Sequence, residues 1–342
     1  MNTIMIGLDL AKNVFQVHGS DAAGQVFRRK LRWAQVELFF AKLAPCVVGM
    51  EACGGAHYWA RVLQRLGHEV RMMPAQYVKP YVKRNKNDSR DAEGIWEGMS
   101  RPTMRFVKPK SEEAQALLAM HRTRALLVRQ RTMVANALRS TLAEFGIVAA
   151  QGSKGLHTLM EQLAAPTCPL PEPAQVALSL LARQWVQVDG AVHELERRIV
   201  RVAREQEPAR RLTEVPGVGP LGATAALAKV PDVNMFRTGR DFAAWVGLTP
   251  RECGTGGKQR SGGISKRGDR MLRQLFIMGA RSRLNRARTH GTNDPWLRDL
   301  MARRPQKVVV VALAAKTARI VWALLKTGER YRAKDQRALA AA

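Results

Sequence analysis

Four carboxylates stand where packing alone does not explain them: Asp9, Glu51, Asp88 and Asp91. Asp9 lies at the end of an apolar run that begins at Ile4. Glu51 closes the run Cys46-Val47-Val48-Gly49-Met50. Carboxylates are rarely buried unpaired, so neither position is an ordinary core position. Asp88 and Asp91 are three residues apart, a spacing that puts both on one face of a helix. Two carboxylates held together repel unless a cation or a basic group sits between them. Lys83, Arg84 and Lys86 precede that pair and Arg90 falls within it. A solvated helix start capped by Asp88 therefore accounts for the pair taken alone. With Asp9 and Glu51 added, the four acids could converge at one sheet edge. Such a cluster needs divalent cations, and Mg²⁺ (or Mn²⁺) takes carboxylate and phosphate oxygens. Two such ions can activate a nucleophile and stabilise a leaving oxygen in phosphodiester chemistry.

The charge of the chain points to the same substrate class. Among 342 residues, 56 Lys and Arg oppose 28 Asp and Glu, a formal net charge of +28. That excess is the electrostatic footprint of a polyanion partner, most often nucleic acid. A chain of this length holds two or three domains. The four cysteines show no CxxC spacing and the seven histidines no ligand spacing, so neither a disulfide framework nor a zinc site is indicated. No basic region followed by an apolar run opens the chain. The apolar run Val308 to Ala315 is cut off by Lys316 and Arg319, too short to span a bilayer. The expected location is cytoplasmic, at the nucleoid, with no membrane partner.

The elements that must position these residues follow from periodicity. Asn13 to His18 and Gln25 to Trp33 read as strands, and helix-period residues follow to Leu43. Ala56 to Leu66 reads as helix, Glu69 to Met73 as strand and the Asp88/Asp91 segment as helix. This order predicts a mixed sheet with helices on its faces. Residues 112–145 form a long helix carrying Arg122, Arg124, Arg129, Arg131 and Arg139, with Gly146 as its stop. The Gly- and Pro-rich residues 146–173 read as an irregular connection. Leu178, Leu181, Trp185, Val188, Val192, Leu195, Ile199 and Val202 then form a heptad seam. A seam needs a partner helix, either 112–145 folded back on it or a second copy of the chain. Gly217 and Gly219, ahead of a helix at Ala223 to Leu227, read as a helix-hairpin-helix turn able to hold a phosphate on backbone N–H groups. From Lys258 to Arg288 ten cations meet one acid, Asp269. Lys258, Arg260, Lys266, Arg267, Arg270 and Arg273, interleaved with glycines, are the expected contacts to a phosphate backbone. Val308 to Leu325 closes the domain as a helix, and the tail after Arg332 frays.

Ile6 to Gln16, Glu51 to Trp59, Lys83 to Ala92 and Ser100 to Phe106 together resemble one family, the DEDD-type insertion-sequence transposases of the IS110 family, nearest its IS1111 subgroup. Piv-type DNA invertases are relatives. The resemblance implies an α/β plus α chain. Residues 1–110 would form a RuvC-like domain of ribonuclease H fold, with Asp9, Glu51, Asp88 and Asp91 as its four acidic residues. Residues 111–207 would be a coiled-coil linker used in assembly and 208–332 a mainly helical C-terminal transposase domain, ahead of a 333–342 tail. It implies metal-dependent cleavage and exchange of donor and target DNA by a dimer or tetramer. It also implies a structured non-coding RNA from the element as guide.

In that family a serine of the C-terminal domain attacks DNA and holds it covalently. Here the position falls on Thr255, counted forward from Thr249-Pro250-Arg251, or on Gly254, counted back from Ile264-Ser265-Lys266. A threonine hydroxyl serves as nucleophile when a base or metal activates it, although its β-methyl restricts χ1. Ser261 is the nearest alternative hydroxyl and Ser265 the next. A catalytically impaired copy that keeps binding is a third reading. Three other classes compete: a metal-dependent nuclease or junction resolvase that does not rejoin strands, a non-catalytic nucleic-acid binder, and an actin-like ATPase or sugar kinase. Gly7-Leu8-Asp9-Leu10 also resembles the first phosphate loop of the last, which leaves the charge of +28 and the Asp88/Asp91 pair unexplained.

Overall fold

The computed structural model describes residues 4–21, 23–82, 88–255 and 258–332, without the side chains of residues 88–89, 252–253, 255 and 258–261. The chain divides into two compact units, Met1–Glu112 and Glu113–Ala342. The second holds both the long helices and the basic C-terminal segment.

In the first unit β1 (Met5–Asp9), β2 (Val14–Ser20), β3 (Val26–Arg32), α1 (Trp33–Ala41), β4 (Val47–Glu51), α2 (Ala56–Arg65) and β5 (Glu69–Met73) follow the predicted order. A short α3 (Ala75–Val78) and α4 (Asp88–Met99) complete it. The sheet order is β3-β2-β1-β4-β5. The first three strands are antiparallel neighbours, while β1, β4 and β5 are parallel. Side chains alternate across a strand, so each strand serves two layers. Ile6, Leu8, Phe15, Val17, Val48 and Met50 join Phe40, Trp59 and Leu63 from α1 and α2 in one core. Val47 and Met73, from the opposite face, join Ile95 and Met99 of α4 in another. Each fully buried large apolar side chain contributes about 1.5–3 kcal/mol.

The second unit opens with α5 (Glu112–Glu144), α6 (Ser153–Ala164) and α7 (Glu172–Glu205). Residues 146–173 are therefore not wholly irregular, because α6 occupies their middle. Leu156, Leu159 and Leu163 keep helical spacing there and are buried against Val134, Leu138, Leu142, Leu178 and Trp185. Glycine and proline at the flanks obscure that stripe in the sequence. Arg124 pairs with Glu196, and Arg131 with Asp189 at 2.6 Å, so α5 and α7 run antiparallel as an intramolecular hairpin. Arg139 donates to the carbonyls of Ala150 and Gly152 at the turn after α5. Arg124 and Arg131 thus hold the hairpin together and Arg139 holds the turn after α5, whereas Arg122 and Arg129 are exposed. On α7, Leu178, Trp185, Val192 and Ile199 are buried, and Leu181, Val188, Leu195 and Val202 are partly buried, Leu181 and Val202 against neighbouring core residues.

The remainder is α8 (Glu207–Thr213), α9 (Pro220–Lys229), α10 (Gly239–Val246), β6 (Pro250–Thr255), β7 (Lys258–Ile264), α11 (Arg270–His290), α12 (Pro295–Arg303) and α13 (Gln306–Thr327). The β6–β7 hairpin is an addition to the expected, mainly helical domain. At 22 residues, α13 is long and apolar enough to cross a membrane, longer than the run Val308 to Ala315 suggested. Its buried Val309, Val310, Leu313, Ala314, Ala318, Val321 and Leu324 instead join Phe242, Leu272 and Phe276 in the core of this unit.

Candidate active site

Register brings two of the four acids together. Gly7 pairs with Gly49 and Leu8 with Met50, so Asp9 and Glu51 leave the same end of adjacent parallel strands. Alternation puts Gly7 and Asp9 on one face of the sheet, together with Gly49 and Glu51. That face is the one α4 covers. A Cβ at Gly7 would lie 2.3 Å from the Ala92 carbonyl oxygen and 2.7 Å from the Trp96 nitrogen; one at Gly49 would lie 2.5 Å from Met99 Sδ. The two glycines therefore let the α4 backbone sit directly on the strands. Ala92, Ile95 and Met99 are buried against them. Asp88 and Asp91 continue the same stripe toward the helix N-terminus, one turn before these contacts. The N-terminal end of α4, which carries positive partial charge, thus lies at the carboxylate end of the sheet.

The electrostatics agree with that placement. Burial, and then the charge of Asp91, push the Glu51 carboxyl above its usual range. Partial burial, and then the charges of Glu51 and Asp9, push the Cys53 thiol up. Asp9, Glu51 and Asp91 therefore share one field. Among the described residues no three His, Cys, Asp or Glu side chains are close enough to hold a metal ion. The side chain of Asp88 lies outside the described residues. The donor set, carboxylate oxygens of Asp9, Glu51 and Asp91 in one field, is of the kind a hard divalent cation takes.

Neighbours on the same face escaped sequence reasoning. Gln16 stands cross-strand from Asp9, and Lys30 from Gln16. His18 stands opposite Gly7, where Arg28 Nε donates to its Nδ1 and its ring meets Trp96 edge-on. Arg28 also pairs with Glu93 at 3.2 Å, tying β3 to α4. Alternation along the second and third strands carried this signal, once their pairing was known.

The expected nucleic-acid residues separate into three groups. Thr255 and Lys258 form the outermost pair of the β6–β7 hairpin, and Ser261 pairs with Glu252. The side chains of Thr255, Lys258, Arg260 and Ser261 lie outside the described residues. Lys266, Arg267 and Arg270 are exposed on the segment that follows, where Lys266 takes a left-handed backbone with φ 54°. One expectation needs correction. Arg273 is only 9% exposed, and its guanidinium donates to the carbonyls of Val246 at 2.8 Å and Arg267 at 3.2 Å. It holds a turn rather than facing a phosphate. Gly217 has φ 90°, and a Cβ on it would come within 3.0 Å of the Gly279 carbonyl oxygen. Its backbone freedom serves packing of the α8–α9 turn against α11. Gly219, the N-cap of α9, has open space around its Cα. Asp269, the lone acid of the basic stretch, caps α11 and pairs with Lys229 at 2.8 Å.

A mixed sheet ending in carboxylates under a carboxylate-bearing helix, followed in one chain by a strongly basic unit, defines a DNA transposase of DEDD type. Residues 6–147 match the DEDD family model of IS110 elements, described as "Transposase", and residues 209–301 match "Transposase IS116/IS110/IS902 family". The chain belongs to the IS110 family of insertion-sequence transposases. It is 50% identical over 97% of its length to a "Probable family 20 transposase" of Pseudomonas aeruginosa, covering 99% of that protein. It is 39% identical to the "Transposase for insertion sequence element IS1328" of Yersinia enterocolitica, over 96% of this chain and 98% of the relative. The same identity, over 96% and 91%, holds for the "Transposase for insertion sequence element IS1111A" of Coxiella burnetii.

Proposed function

We propose that this transposase cuts and rejoins donor and target DNA at the carboxylate end of β1, β4 and α4, in a RuvC-like domain, with Asp9, Glu51, Asp88 and Asp91 as metal ligands. The observation that carries the reading is the matched exit of Asp9 and Glu51 from neighbouring parallel strands, under a helix whose Asp91 charge reaches Glu51. Carboxylates gathered in one field favour a bound cation, and Mg²⁺ or Mn²⁺ suits oxygen donors. When bound, such an ion supplies Lewis-acid polarisation of a phosphate oxygen and a lowered pKa for a coordinated hydroxyl. Asp9 and Glu51 would hold it from the sheet, and Asp88 and Asp91 from the helix.

Thr255 is the proposed nucleophile. Its Oγ1 attacks phosphorus, the phosphodiester releases a DNA hydroxyl, and the threonine proton leaves to a base. In the second half of the exchange a DNA hydroxyl attacks the phosphothreonine ester and restores the free side chain. Ser261 is the alternative. Exposed Lys266, Arg267 and Arg270, with Lys258 and Arg260, hold the DNA backbone, assisted by N–H groups of a helix-hairpin-helix turn at Gly219. An RNA guide from the element supplies sequence choice. The heptad seam of α7, read as an assembly element, supports a complex of two or more copies. The protein works in the cytoplasm, on the nucleoid.

The test is strand exchange between donor and target plasmids. Asp9→Asn and Asp91→Asn should each abolish exchange with an unchanged melting temperature; wild-type recombination by either variant would refute the centre. Nicks without joined products would favour the nuclease reading instead. A suicide substrate should trap DNA on the Thr255 peptide. A trapped Ser261 or Ser265 moves the nucleophile there. No adduct in the wild type, with activity gained by Thr255→Ser, identifies an impaired copy. Sequencing RNA that co-purifies with the protein and its flanking element tests the guide.

A further inference from the structure

A cavity of about 830 Å³ opens in the second unit between α11, the α11–α12 loop, α13 and the chain that follows it. Neither Asp9, Glu51, Asp88 and Asp91 nor the β6–β7 hairpin contributes to it. Its floor is apolar, formed by Ala287, Ile320, Ala323 and Leu324. Five cations and a single carboxylate make up its charged lining. That carboxylate, Asp294, already meets Arg283 at 2.8 Å and Lys316 at 3.2 Å, and caps α12. The Lys316 ammonium also sits 3.9 Å from the centre of the Trp296 ring, which orders both side chains. Arg286, Arg319 and Arg332 stand exposed at the rim. Tyr331 contributes a second aromatic wall.

An apolar floor with aromatic walls and a cationic rim suits a flat apolar body joined to an anion. The volume falls within the range of sites that engulf small ligands. A base linked to a phosphate has this chemistry, because bases stack on aromatic faces and guanidinium forks fit phosphate oxygens. A paired, stacked base cannot enter a concave site, whereas an unpaired one can. We infer that this cavity receives one unpaired nucleotide of a single DNA strand, its base beside Trp296 and Tyr331 and its phosphate on Arg286 and Arg319. The inference rests on the DNA-transposase reading only in taking DNA as the partner.

The experiment uses the full chain and a single-stranded oligonucleotide carrying one 5-iododeoxyuridine, with free 5-iododeoxyuridine monophosphate as a second arm. Irradiation of the strand should crosslink Trp296 or Tyr331. Arg286→Gln and Arg319→Gln should each weaken single-strand binding by about tenfold, the size of a single stacking or phosphate interaction. Arg303→Gln, an equal charge loss on an exposed α12 residue outside the cavity, should leave it unchanged. Crosslinks confined to other peptides, or equal losses in all three variants, would overturn the site. Labelling of Trp296 or Tyr331 by the free nucleotide but not by the strand would overturn the strand as its source. Wild-type protein that fails to bind any DNA would instead break the transposase reading, so the two failures are distinguishable.

Discussion

Both units bring backbones into contact over glycine, and they use the contact for opposite ends. In the first, Gly7 and Gly49 let α4 settle on two parallel strands, which gathers acids from remote parts of the chain into one field. In the second, Gly217 and Gly279 seat a turn on α11, and a Cβ at Gly279 would lie 1.7 Å from the Gly217 carbonyl oxygen. That close approach gathers no chemistry. It frames a unit in which Lys266, Arg267 and Arg270 are exposed. The first unit concentrates charge of one sign at a single depth, and the second spreads the opposite sign over loops and helix faces. The shared carboxylate field therefore depends on backbone closeness, and the proposed polyanion surface depends on exposure.

The largest effects should come from spoiling that closeness. Gly7→Ala forces a methyl group into the α4 backbone and should cost about 3 kcal/mol or more, with loss of strand exchange. Gly279→Ala should destabilise comparably, but through the second unit. Hydrogen exchange resolved by peptide distinguishes them, since protection should fall first in α4 for one and in α11 for the other. Wild-type stability of Gly7→Ala would show that α4 is positioned by something else.

Next in size is a pH effect confined to the second unit. Burial, then the charges of Arg124 and Lys229, lower His121 from 6.5 to about 4, where its Nε2 lies 3.0 Å from Thr224 Oγ1. The unfolded chain therefore takes up the proton first. Stability should be full above pH 6.5 and fall by about 3 kcal/mol as pH drops toward 4. Urea melts at pH 7 and 4.5 should show this loss in the wild type and a smaller one in His121→Gln. An equal loss in both would assign the acid sensitivity elsewhere.

The smallest effects compare two arginines that sequence alone treats alike. Arg273→Gln removes buried hydrogen bonds to two carbonyls and should cost about 2 kcal/mol. Arg267→Gln should leave stability within about 0.5 kcal/mol. It should instead reduce the salt dependence of DNA binding, by a slope of about one for each phosphate the side chain had neutralised. If both variants bind and melt alike, exposure is not what divides them.

Much of the first unit was legible. Its strands and helices follow the alternation and helical spacing read from the residues, and Asp9 and Glu51 stand out because a strand core has no use for them. Less of the second unit was. The α6 stripe Leu156-Leu159-Leu163 was hidden by flanking Gly and Pro, and the β6–β7 hairpin by its glycine-rich, charged composition. Arg273 looked like its neighbours because a guanidinium that binds carbonyls and one that binds phosphate carry the same sequence signal. His18, Gln16 and Lys30 were invisible as site neighbours until strand pairing put them on the face of Asp9.

By itself, then, the sequence determined the charge of the chain, the order of its elements in the first unit and the identities of the acidic residues, because these depend on composition and on spacing within one element. Tertiary structure alone decided that Gly7 and Gly49 seat a helix, that α7 closes on α5 within one chain, and which arginine is buried. Each of those depends on which distant backbone approaches, and the meeting of remote segments leaves no period in the residues that make it.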